Sequence, residues 1–118
     1  MGYTVEYYEL EDGTRPAEDF ILSQDKKMRA KIFSALELLE LKGPELREPF
    51  SKPLGDGIFE VRAKQGSDIS RVLHFFVVGR KVILTNGFIK KTTKTPAREI
   101  DRAKRYRADY QRRRIDHG

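Results

Sequence analysis

The stretch IFEVRAKQGSDISRVLHFFVVGRKVILTNGF, residues 58–88, decides the fold. It reads as three strands joined by two short turns. In Ile58–Lys64 apolar and polar residues alternate, with Phe59, Val61 and Ala63 toward one face and Glu60, Arg62 and Lys64 toward the other. Gln65–Asp68, which contains Gly66, makes the first turn. Ile69–Val78 is apolar on both faces, as a central strand is. Gly79-Arg80 makes a tight turn, and Lys81–Phe88 is the third strand. Strands connected this closely form an antiparallel meander.

The flanks add helices. Tyr3–Leu10 is β-branched and aromatic and predicts a first strand. Thr14 is placed to cap a short helix, with Pro16 in its first turn and Glu18 and Asp19 at its positive end. A second helix is predicted over Lys26–Lys42, because Met28, Ile32, Leu36 and Leu39 recur at helical steps before Gly43-Pro44 stops the run. After the meander, Thr95 and Pro96 predict the start of a third helix that runs to about Arg114. The order β-α-α-β-β-β-α predicts one α+β domain over residues 1–118. Its small antiparallel sheet, the N-terminal strand plus the meander, carries a helix pair on one face and a C-terminal helix.

Composition narrows the function classes. The 118 residues include no cysteine, so disulfides and cysteine-based zinc sites are excluded. No apolar run approaches the roughly 20 residues of a membrane span, and no signal peptide is expected at MGYTVEYYEL, so a cytoplasmic protein is expected. The net charge of +6 is uneven, −4 over residues 1–50 and +10 over residues 51–118. Such an asymmetry predicts a face for a polyanion.

Few residues carry chemistry. His74 and His117 lack ligand-like spacing, so no metal or other cofactor is expected. His74 lies within the central strand and reads as a packed side chain. The cations are more informative. Nine residues separate Arg62 and Arg71, and the turn between them lets the two approach across the ladder. An arginine in an apolar strand needs either a buried acid partner, with Glu60 a candidate, or an anion to face. Lys90 and Lys91 leave the third meander strand near the start of the second, so Arg62, Arg71, Lys90 and Lys91 are expected to converge on one face.

The segments LGDGIFEVRAK, SRVLHFF and LTNGFIKKTTKTPAREIDRAKRY resemble the HigB-like, phage-derived branch of the RelE/ParE toxins. The resemblance spans about residues 50–110, and the GF-x-KK-T-x-KTP run is its most specific part. His74 stands where that pattern commonly has tyrosine, and Asn86 where it commonly has histidine. The resemblance implies a ribosome-associated mRNA endonuclease with a RelE-like fold, neutralised by a helix-turn-helix antitoxin of the HigA kind. It places Arg62, Arg71, Lys90 and Lys91 as catalytic residues. Lys64, Lys94, Arg98 and Arg102 are the expected RNA contacts, and the ribosome and its mRNA the expected partners. Cations stabilise a phosphorane, and RNA supplies its own 2′-OH nucleophile. A base must then come from a lysine of lowered pKa or from Glu60. The alternatives are a ParE-like inhibitor of DNA gyrase, a non-enzymatic nucleic-acid-binding module and a structural phage protein.

Overall fold

A computed structural model describes residues 2–90 and 94–116. Five strands form one sheet: β1 (Thr4–Tyr7), β2 (Ser51–Gly55), β3 (Ile58–Gln65), β4 (Asp68–Val77) and β5 (Lys81–Lys90), in the order β1-β5-β4-β3-β2. Strands β2 to β5 are an antiparallel meander. β1 joins the far side of β5 in parallel, from Thr4 opposite Lys81 to Tyr7 opposite Leu84, so the sheet is mixed. β4 lies at its centre, and Ser70–Phe75 are all buried because helices cover both faces. The expected α+β, RelE-like architecture is the one found, but the sheet is not wholly antiparallel as expected, because the N-terminal strand pairs with β5 in parallel.

The helices are α1 (Pro16–Leu22), α2 (Lys26–Lys42) and α3 (Ala97–Asp116). α1 and α2 share one face of the sheet. Ile21, Ile32, Leu36 and Leu39 pack there on Val61, Val72, Val82 and Leu84. Burying each such side chain contributes about 1.5–3 kcal/mol. α2 starts where the Asp25 carboxylate accepts the Met28 N–H at 2.8 Å and ends at Gly43, whose φ is 56°. A side chain at Gly43 would enter the Tyr3 ring. α3 covers the opposite face, where Ala103, Tyr106 and Tyr110 pack on Ile58, Leu73, Phe75 and Ile83. Tyr8 stacks on Tyr106 with ring centroids 4.7 Å apart. Its hydroxyl donates to Asp109 at 2.6 Å; burial, and then Asp109, push its pKa up to about 12. Among the described residues, no helix is long and apolar enough to cross a membrane.

Four local expectations change. The first strand ends at Tyr7, because the chain turns where the Leu10 N–H donates to the Thr14 carbonyl. Thr14 does not cap α1; Arg15 holds that position without a side-chain bond. The meander gains β2, and Pro53 is tolerated in it because β2 is an edge strand. Thr95 precedes α3, but its hydroxyl is spent on the sheet.

Candidate nucleic-acid interface

The meander register sets Arg62 directly opposite Arg71. Like charges so placed repel. Glu60, two residues before Arg62 on the same face, resolves the conflict. Its Oε2 lies 2.5 Å from the Arg62 Nε and 3.4 Å from the Arg71 Nε. Its Oε1 accepts the Thr95 hydroxyl from the segment that leads into α3. Glu60 and Arg71 are fully buried, whereas the Arg62 side chain keeps 19% of its surface. Burial lowers the Arg71 pKa from the usual arginine value; Glu60 opposes that shift and Arg62 adds to it. Of the two readings open for an arginine in this strand, the structure has the buried acid partner.

Arg62 is therefore the partly exposed member of the cluster. It forms a wall of a cleft of about 430 Å³ together with Lys52, Pro53, Leu54, Lys94, Thr95 and Ile100. Three cations and an apolar floor suit a strand of phosphates with bases laid against it. Lys52 was missed in the sequence because SKPLG does not read as a strand. Its signal was a lysine six residues before the alternating run, too slight to place it beside Arg62.

The other expected site residues divide. Lys90 ends β5 opposite Ile69, two positions along each strand from the Arg71–Phe88 pair, so it shares the Arg71 face, but Arg71 is buried there and neither residue lines the cleft with Arg62. Lys91 lies outside the described residues. Lys94 is exposed at the cleft. Lys64 is exposed but lines a separate groove on the α2 side. Arg98 is 82% exposed on the first turn of α3, and the Arg102 Nη1 sits 3.6 Å from Glu99. Glu99 is in turn held by the Asn86 amide at 3.0 Å, so the residue in the usual histidine position ties β5 to α3. Further along α3, Lys104 and Arg107 reach Asp56, while Arg112 and Arg113 reach Asp109. These cations fasten α3 to the sheet and to itself.

Among the described residues, those that line the cleft include no carboxylate or imidazole. Glu60, one of the two expected bases, is buried with both oxygens engaged and does not reach the cleft surface. His74 is fully buried on the α1/α2 side between the rings of Phe59 and Phe76, with its Nδ1 3.3 Å from the Val72 carbonyl. Burial lowers its pKa to about 4, which keeps it neutral. The arrangement can bind phosphate and stabilise charge on it.

No curated protein matches the chain. The family model described as phage derived protein Gp49-like (DUF891) matches residues 19–108, which take in every residue of the cleft. With that match over most of its length, the chain belongs to the phage-derived Gp49-like family, within the RelE/ParE-like toxin superfamily, in which Gp49 is a toxin of a toxin-antitoxin module.

Proposed function

We propose that this chain is the toxin of a type II toxin–antitoxin module and acts as a HigB-like, ribosome-dependent mRNA endonuclease in the cytoplasm. The observation that carries the reading is the cleft itself: Arg62, Lys52 and Lys94 around an apolar floor, with Arg62 anchored to a buried carboxylate. Arginine presents a planar fork that stabilises a phosphorane, and lysine supplies flexible point charges for flanking phosphates. A lysine at the cleft is the base in this reading. Proton removal by lysine is slow unless the message is already aligned, which agrees with cleavage on the ribosome.

A helix-turn-helix antitoxin of the HigA kind is the proposed partner. A second groove, of about 590 Å³, runs between α2 and the β3 edge. Ala35, Leu38, Phe50 and Ala63 line it, and Lys31 and Lys64 stand at its sides. An apolar antitoxin segment flanked by acidic residues fits this combination.

The test is induction of the chain alone, followed by mapping of mRNA 5′ ends. New ends within translated frames and arrested protein synthesis are expected. Continued synthesis without new ends overturns the reading, and a DNA-damage response in its place transfers the chain to the gyrase class. The burial of Glu60, both of whose carboxylate oxygens are engaged, favours one second reading, a binder that does not cut. Its signature is RNA affinity that falls with salt, with a log–log slope of about −2 for three phosphate contacts on single-stranded RNA, and no cleavage in a ribosome-containing extract.

A further inference from the structure

Glu60 lines neither groove, yet it holds both sides of the cleft. One side is β2 and β3, with Lys52, Leu54 and Arg62; the other is the approach to α3, with Lys94 and Thr95, and Ile100 in the first turn of α3. The Glu60 carboxylate takes Arg62 from the first side through Oε2 and Thr95 from the second through Oε1, across 35 residues of sequence. We infer that Glu60 is the positioning residue of the cleft: it fixes the Arg62 guanidinium on one wall and sets the distance from that wall to Lys94. The inference rests on the proposed nuclease function for its rate consequences, and on geometry alone for the placement of Arg62.

The chemistry requires an anion at this position. Arg62 and Arg71 are direct cross-strand neighbours, and Arg71 is fully buried. In a medium of low dielectric their repulsion is strong, and a carboxylate in contact with both offsets it. A neutral acceptor of the same shape keeps the Thr95 bond but leaves the arginines in conflict, so the exposed one swings away. Engagement through Nε also matters. It grips the guanidinium at its inner edge and fixes its plane, which a lysine at position 62 cannot reproduce. A cation that is present but not oriented still binds phosphate; it no longer meets the developing phosphorane charge.

Glu60→Gln and Thr95→Val are the test variants, the second a near-isosteric change that breaks only the Oε1 side. Three quantities are measured at a temperature where circular dichroism shows a folded chain. They are cleavage of a translated message against its concentration, the salt dependence of binding to a short single-stranded RNA, and the Arg62 Nε–Hε NMR signal. The expected result is a maximal rate lower by about 10- to 100-fold, with KM and salt slope kept, because the charges remain but are misplaced. The Arg62 Hε signal should move upfield and exchange faster in Glu60→Gln. An unchanged maximal rate in both variants overturns the inference, and so does a loss confined to KM. If Glu60→Gln does not fold, Thr95→Val decides: a folded variant with wild-type rate overturns the proposal. If the unmodified chain cuts no message, the nuclease reading has failed, and the NMR arm decides separately. An Hε signal indifferent to Glu60→Gln then overturns the positioning role, and a shifted signal supports it for a cleft that only binds.

Discussion

His74 shows what a single buried side chain does to the whole protein's response to pH. Its ring lies between Phe59 and Phe76, and its Nε2 has no hydrogen-bond partner among the described residues, so the fold accepts only the neutral form. The folded pKa is about 4, below the unfolded value near 6.5. Between these values the unfolded chain binds a proton that the folded chain refuses. Stability from this residue is thus complete above pH 6.5, declines as the pH falls toward 4, and is lower by about 3 kcal/mol at the acid end. His74→Leu, of similar volume, removes the effect. From pH 7 through 5.5 to 4.5, the urea midpoint of the wild type should fall relative to that of His74→Leu. Parallel curves would show that the imidazole reaches solvent. The arginine in β4 obeys the same rule from the other side: the fold supplies Glu60 because the charge of Arg71 cannot be titrated away. The sequence raised both questions. It answered the first through the apolar neighbours of His74, and left the second open because a partner two residues from Arg62 and eleven from Arg71 is identified only once the register is known.

At the scale of elements, Gly87 explains how the first helix finds its seat. A Cβ there would enter the Phe20 ring, so α1 rests on β5 through an aromatic face laid on bare backbone. Gly87→Ala should cost about 1–3 kcal/mol through overpacking. Phe20→Leu should relieve part of that cost, giving a coupling of about 0.5 kcal/mol or more in a double-mutant cycle by urea unfolding. Additive effects would mean that α1 is held by Ile21 and Ala17 alone. Elements with strong periodicity were legible in advance: α2 by its steps from Met28 to Leu39, and the meander by alternation and turns. β2 was not, because Pro53 and Gly55 weaken strand propensity and its place is set by tertiary partners. It pairs with β3, and Arg107 of α3 grips the adjoining turn at Asp56. Thr95 was misread for a related reason: its hydroxyl has a buried carboxylate within reach, a stronger acceptor than a backbone cap would provide.

For the whole molecule, the uneven charge predicted a face for a polyanion without locating one. Five of the cations in residues 51–118 are paired internally: Arg71 on Glu60, Lys104 and Arg107 on Asp56, and Arg112 and Arg113 on Asp109. The basic cleft takes in Lys52, Arg62 and Lys94, and Arg62 also borders the apolar groove beneath α2. The two grooves thus meet at one side chain. Under the proposed function, an antitoxin segment seated in the groove lies against Arg62, and RNA in the cleft needs that same guanidinium, so the two should exclude each other. Antitoxin should raise the apparent Kd of a short single-stranded RNA in proportion to its own concentration, leaving the saturating signal unchanged. Phe50→Asp, which places an anion on the exposed groove wall, should weaken neutralisation by about 10- to 100-fold, as loss of an anchoring aromatic does at other interfaces. Its toxicity should persist, because Phe50 is not part of the cleft lining. A ternary complex that binds RNA with unaltered affinity would refute the shared wall and move neutralisation to a surface remote from Arg62.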